Sequence, residues 1–254
     1  MDKRLIKMGG VTLGAGRPAV CVPVMGESLE AIERAAGDAK AAGAEIIELR
    51  ADSLSPMPDV RLAGAMCAAV RRAAPDTALL FTLRTARDGG PGDADPEAYE
   101  ALLCALAGSA PCDAVDVEMS VGEAAFSRIV SSAHAAGLAV VGSSHDFTAT
   151  PAEDAIVSTL LDMRRLGADV SKIAVMPQNR LDVLTLMRAA VRADEQLDTP
   201  LIAIAMGRLG VTTRLCGEAI GSCLTFGTAG RASAPGQIDA RTLRDTLETI
   251  HAAL

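Results

Sequence analysis

Residues 138–176 read LAVVGSSHDFTATPAEDAIVSTLLDMRRLGADVSKIAVM, and a complete strand–helix–strand unit is legible in them. The apolar run at 138–144 (LAVVGSS) gives way to a polar stretch. Thr150-Pro151-Ala152-Glu153 then reads as an N-cap, an N1 proline and a capping-box glutamate. Ile156, Leu160 and Met163 share one helical face, and Gly167 offers the positive-φ residue on which helices stop. A second apolar run, 171–176 (SKIAVM), follows at once.

The same alternation continues in both directions. Further strand candidates lie at 19–24 (AVCVPV), 45–50 (EIIELR), 78–84 (ALLFTLR), 113–118 (DAVDVE), 201–206 (LIAIAM) and 222–226 (SCLTF). Helical periodicity fills the gaps, as in Leu62, Met66, Ala69 and Ala73, or Leu243, Leu247 and Ile250. Gly43 and Gly137 stop helices ahead of strands as Gly167 does. Eight such units in 254 residues predict an α/β fold, a closed (β/α)8 TIM barrel, as one domain spanning 1–254. An open doubly wound sheet would be expected to carry a glycine-rich phosphate loop after its first strand; this chain has Met25-Gly26-Glu27-Ser28 there. Residues 4–17, with Gly9-Gly10 between short apolar stretches, are expected to form a short N-terminal β-hairpin closing the bottom.

Composition narrows the partners. Half of the residues are hydrophobic but only 2% are aromatic, so the core must be aliphatic. A net charge of −8 and no basic stripe argue against nucleic acid. No stretch is apolar enough for a membrane span or a signal peptide. Cysteines 21, 67, 104, 112, 216 and 223 form no CxxC pair and no metal-ligand spacing. Reduced thiols in a cytoplasmic protein, with no metal, are expected.

Ionisable residues inside apolar strands mark the candidate chemistry, because barrel sites are built from strand ends and the loops beyond them. Strand alternation puts Glu48 and Arg50 on one face and Ile47 and Leu49 on the other. If the aliphatic pair meets the helices, the charged pair enters the barrel mouth; a purely structural ion pair is the plainer alternative. Arg84 shares the parity of Thr82 and points inward, ahead of Gly89-Gly90, whereas Arg87 reads as a solvated loop charge. His145 stands at a strand's C-terminal end, while His134 and His251 fall in helical patterns. Lys172 is placed at a strand start, where lysine is usually a surface charge. On the inward face with Ala174 and Met176, its stem would instead run up the axis. Poor hydration and nearby cations would then favour a free, nucleophilic amine. After the last strands, Arg214, Ser233 and Gln237 suit a carboxylate with hydroxyls better than a phosphate.

Taken in order, Glu48-x-Arg50, Phe81-Thr82-x-Arg84 with Gly89-Gly90, His145-Asp146-Phe147, Lys172-Ile173-Ala174, Gly210-x-x-x-Arg214, Gly221-Ser222 with Thr225-Phe226-Gly227, and Ser233-Ala234-Pro235-Gly236-Gln237 cover nearly the whole chain. Together they resemble the type I 3-dehydroquinate dehydratases of the shikimate pathway. The resemblance implies a (β/α)8 barrel, usually a homodimer, that converts 3-dehydroquinate to 3-dehydroshikimate with no metal or added cofactor. It implies Lys172 as the Schiff-base lysine and His145 as the general acid/base. Glu48, Arg50, Arg84, Arg214, Ser233 and Gln237 become the substrate-binding set. Asp88 stands where the family commonly has Glu, so a carboxylate orienting His145 would need a loop shift or a water to reach it. Pro23 stands where some members have Ser, and Thr213 where Ser is frequent. The rivals are an imine-forming aldolase barrel for sugar phosphates and a barrel that has lost catalysis.

Overall fold

A computed structural model describes residues 3–55, 57–230 and 236–254. Among these residues, eight parallel strands run in chain order around a barrel: β3 (Ala19–Val24), β4 (Ile46–Arg50), β5 (Ala78–Thr82), β6 (Ala114–Glu118), β7 (Ala139–Asp146), β8 (Val170–Val175), β9 (Leu201–Ala205) and β10 (Leu224–Thr228). β10 returns to pair with β3. The seam between β9 and β10 closes through a bridge from Leu201 to Ser222. There Cys223 N donates to Leu201 O at 2.8 Å, and Ala203 N donates to Ser222 Oγ at 3.1 Å.

Around the strands lie α1 (Leu29–Ala41), α2 (Val60–Ala73), α3 (Pro96–Ala107), α4 (Glu123–Ala135), α5 (Glu153–Arg165), α6 (Arg180–Asp194), the short α7 (Val211–Leu215) and α8 (Ala240–His251). A two-residue strand, β11 (Ile238–Asp239), extends the sheet beside β10. The expected hairpin is present as β1 (Ile6–Met8) and β2 (Val11–Leu13), antiparallel, turning at Gly9 with φ +54°. Its Ile6, Met8 and Leu13 pack with Ala19, Ile46, Ala78, Ala114 and Val170 from the starts of the barrel strands, which plugs the bottom. Gly43, Gly137 and Gly167 all take positive φ where helices end.

The period-2 alternation sorts each strand into an outer and an inner row. Outward residues such as Val22, Ile47, Leu49, Phe81, Val115 and Val140 pack on helices. The inner rows climb from apolar to polar: Ile46, Glu48, Arg50 on β4; Ala114, Asp116, Glu118 on β6; Val141, Ser143, His145 on β7. On β8 the inner row is Val170, Lys172, Ala174, and the ladder sets Lys172 beside Ser143. An aliphatic lower layer thus supports a charged upper one.

One local expectation fails. Helix α5 starts at Glu153 with Ala152 as its N-cap and no side-chain cap, so the box at 150–153 does not form. Asp146 Oδ1 takes the Thr148 and Ala149 N–H groups, and Met176 N donates to Ala149 O. This ties down the approach to the helix and leaves the Thr150 hydroxyl covered and uncapping, with Ala152 at the cap position. Glu153 pairs instead with Arg188 and Arg192 of α6.

Candidate active site

The upper layer opens into a cavity of about 340 Å³, lined by Glu48, Arg50, Arg84, His145, Lys172, Arg214 and Gln237 among others. This size suits a small-molecule ligand. Seven of the sequence-derived site residues therefore meet in one place. Asp88 stands directly behind His145, and Ser233 lies outside the described residues.

Lys172 is buried, with 5% of its side chain exposed. Its Nζ lies 3.4 Å from Asp116 Oδ2, 3.6 Å from Glu48 Oε1, and 4.7 Å from the centre of the Phe226 ring. This corrects the expectation of cationic surroundings: among the described residues the nearest charged atoms are carboxylate oxygens. The reason is parity, since Glu48 and Asp116 project inward from β4 and β6 as Lys172 does from β8.

Glu48 also accepts a hydrogen bond from Thr82 Oγ1 at 3.1 Å. It makes no ion pair with Arg50. Arg50 forks instead onto Asp52, at 3.0 Å from Nε and 2.7 Å from Nη2, while Asp52 also receives Arg84 N at 2.9 Å. Arg84 is buried and saturated by acids. Its Nη2 meets Asp116 Oδ1 at 2.9 Å, and its Nη1 meets Glu118 Oε1 at 3.0 Å and Ser143 Oγ at 3.1 Å. Although burial works against its charge, these acids hold the Arg84 guanidinium protonated. Burial alone would push the Asp116 carboxyl up, but Arg84 and Lys172 keep it well below the usual carboxylate range.

His145 Nδ1 lies 3.0 Å from Asp88 Oδ2, and the same oxygen accepts the His145 backbone N–H at 3.1 Å. With a carboxylate on Nδ1, that nitrogen carries the proton and Nε2 is left as the basic one. Burial, then Arg84 and Lys172, push the imidazole's pKa well below its ordinary value, so His145 is neutral near pH 7. The shorter Asp88 side chain needs no bridging water, because the loop after β5 folds back tightly. Gly90 N donates to Thr85 O at 2.8 Å and Gly92 N to Arg84 O at 3.0 Å. A Cβ at Gly90 or Gly92 would stand 2.3 or 2.5 Å from Arg84 O, so only glycine permits this path. The Phe147 ring stacks on the imidazole at 6.2 Å and 17°.

Arg214, on α7, is buried and donates from Nη1 to Phe226 O at 3.3 Å. Burial pulls its pKa down to about 10, which leaves it charged near neutrality. Thr213 ties α7 to β9 by accepting Ala205 N at 3.0 Å and donating to Gly210 O at 2.8 Å. Pro23 is half-buried and lines the cavity, past the point at which β3 stops pairing with β10. Arg87 is an exposed loop cation, as expected.

Asp116, Glu118 and Asp52 were not singled out in the sequence. The signal for the first two was present in DAVDVE, where both acids share the parity of Ala114 inside an apolar strand. Tyr99, from α3, braces that strand end: its hydroxyl donates to Asp116 O at 3.2 Å and accepts Glu118 N at 3.1 Å.

Comparison with known proteins places this arrangement in context. A family model described as type I 3-dehydroquinase matches residues 20–253. The 3-dehydroquinate dehydratase of Listeria innocua is 41% identical over 251 residues, covering 99% of each chain. That of Klebsiella pneumoniae is 41% identical over 246 residues, 96% of this chain and 98% of its own. Among solved structures, the type I 3-dehydroquinate dehydratase of Clostridium difficile superposes with a TM-score of 0.95 at 38% identity, covering 99% of this chain and 100% of its own. 3-Hexulose-6-phosphate synthase, at 20% identity and a TM-score of 0.61, shares the fold alone.

Proposed function

The chain belongs to the type I 3-dehydroquinate dehydratases, and we propose that it dehydrates 3-dehydroquinate to 3-dehydroshikimate through an imine on Lys172, with His145 moving the protons. One observation carries this reading. Of Lys3, Lys7, Lys40 and Lys172, only Lys172 is buried, and it lines the same cavity as the carboxylate-backed His145. The Clostridium difficile structure, described with covalent modified comenic acid, accords with covalent chemistry in this fold.

The Lys172 nitrogen, having given up a proton, attacks the ketone carbon and forms a C–N bond. The ketone oxygen takes two protons and leaves as water, so the nitrogen becomes an iminium. His145 Nε2 then removes a proton from the adjacent carbon, and that electron pair moves toward the iminium to give an enamine. The pair returns to expel the hydroxyl one carbon further on, which departs as water with the proton held by His145. Water adds to the iminium carbon, the C–N bond breaks, and the conjugated enone is released with the free amine. Positioned acid/base catalysis of this kind is worth roughly 10²–10⁴-fold. A neutral histidine is the form that can accept the carbon-bound proton, and Asp88 is placed to balance the imidazolium that results.

Arg214 would hold the substrate carboxylate, with Ser233 and Gln237 over the ring. Glu48 and Arg50 would orient the ring hydroxyls. The Nη atoms of Arg84 are already engaged, so its share is positive charge beside the site. The barrel is taken to act as one catalytic domain of a cytoplasmic protein with reduced thiols, and as a homodimer, which the family resemblance implies. Among the described residues no helix is long and apolar enough to cross a membrane.

Borohydride added with 3-dehydroquinate should fix the ligand's mass onto Lys172. Lys172→Ala should abolish both the adduct and the enone absorbance while substrate binding stays measurable. Turnover retained by that variant would move the chemistry elsewhere.

A further inference from the structure

Asp116 has no task in the steps above, yet among the described residues its carboxylate is the nearest ion-pair partner of the reacting nitrogen. It is fully buried on the inner row of β6. Arg84 Nη2 at 2.9 Å and Ser143 Oγ at 2.6 Å both bind its Oδ1. With one oxygen fixed in this way, the other, Oδ2, is aimed at Lys172 Nζ at 3.4 Å. Among the described residues, the titratable and charged groups around Lys172 are Cys21 on β3, Glu48 on β4, Arg84 after β5, Asp116 on β6 and His145 on β7. Arg50 and Arg214 stand further round the cavity, while Ile204 on β9 and Phe226 on β10 bring no charge.

We infer that Asp116 is the fixed counter-ion of the Lys172 nitrogen, keeping it charged both as the resting ammonium and as the imine that draws electrons from the substrate. This role presupposes the covalent reading above. Charge balance favours it: an ammonium and a ketone give an iminium and water, so the nitrogen is positive before and after condensation. A carboxylate that never changes its own charge matches both states. Held ionised by Arg84 and Lys172 against the effect of burial, Asp116 is too weak a base to take the amine's proton. Glu118, equally buried on the same row, reaches Arg84 and Thr85 instead of Lys172, which makes it the natural control.

The test is the pH dependence of borohydride trapping with 3-dehydroquinate, because imine formation needs an amine that can lose its proton. Losing an opposite charge at this range moves such an acid limb down by about 1–3 pH units. Asp116→Asn should show that displacement, and Glu118→Gln a clearly smaller one. A second readout uses the unaltered enzyme. Raman spectra of the bound imine in H2O and D2O should show a C=N stretch that shifts with deuterium across the active pH range. An unmoved limb in Asp116→Asn, an equal displacement in Glu118→Gln, or a wild-type stretch indifferent to D2O overturns the inference. The last of these requires no variant to fold. Absence of any adduct in the wild type instead removes the covalent mechanism itself.

Discussion

Asp88→Asn isolates a single charge. In the wild type one oxygen, Oδ2, accepts both the backbone N–H of His145 at 3.1 Å and Nδ1 at 3.0 Å. An asparagine carbonyl can occupy that point and accept the same two bonds. Ring orientation and tautomer are therefore kept, while the countercharge for a protonated imidazole is lost. An opposite charge this close is worth about 1–3 pKa units, each a factor of ten in proton affinity, so kcat should fall by about 10–10³-fold. Enone absorbance followed across pH supplies the assay, with kcat chosen because it reports groups in the complex. Burial raises the Asp88 carboxyl above its ordinary pKa, against the pull of Arg84. Activity should therefore be present above that raised value and lost as pH falls through it, and the Asn variant should lack this limb. The stability sign is opposite. An acid whose pKa is higher in the folded protein favours folding when protonated, so ionised Asp88 weakens the fold near neutrality. The Asn variant should unfold at an equal or higher urea concentration at pH 7. A wild-type kcat, a retained limb, or a lower urea midpoint would each refute this account.

Three further substitutions test the scaffold. The β5–β6 ladder ends at Val115, and the Tyr99 hydroxyl serves the backbone at Asp116 and Glu118 beyond it. Tyr99→Phe should cost about 1–3 kcal/mol in urea unfolding, the penalty for leaving a buried backbone group unmet; a change lost in experimental error would contradict it. Gly90→Ala drives a Cβ to 2.3 Å from Arg84 O, a backbone atom that cannot swing away. It should destabilise by about 1–3 kcal/mol and slow turnover by displacing Asp88. Gly64→Ala, inside α2 with nothing within 4 Å of the added carbon, should instead stabilise by about 0.5–1 kcal/mol. Equal effects from the two alanines would remove close packing as the explanation.

The barrel was legible because its strands carry aliphatic residues on both faces and because glycine ends helices at Gly43, Gly137 and Gly167 where geometry requires positive φ. Glu48, His145 and Lys172 were legible because each interrupts an inner row that hydrophobicity alone would keep apolar. The Asp88–His145 pairing came only from the family resemblance, and its direct reach was not legible: it joins residues 57 apart, and it depends on how glycines fold the loop over Arg84. Strand parity carries no information about such a path. The N-cap reading at Thr150 failed for a related reason, since Asp146 captures the preceding backbone and local propensity is overridden.

The neighbours of Lys172 could have been deduced with one more physical step. Parity sends Lys172 and Arg84 into the same barrel, and a cation taken out of water costs several kcal/mol unless opposite charge accompanies it. Inward cations in an aliphatic barrel therefore demand inward acids within reach, and these must lie on strands whose inner row climbs to the same height. In this chain Glu48, Asp116 and Glu118 meet that requirement: they share the inward parity and lie near or between the two cations along the sheet. Requiring a barrel layer to be close to neutral thus converts suspected cations into a search for their acids, and it adds Asp116 and Glu118 to Glu48 from strand parity alone. It also explains why the amine faces carboxylates: the charges that make Lys172 tolerable in the folded barrel are the same ones available to hold it positive as an imine.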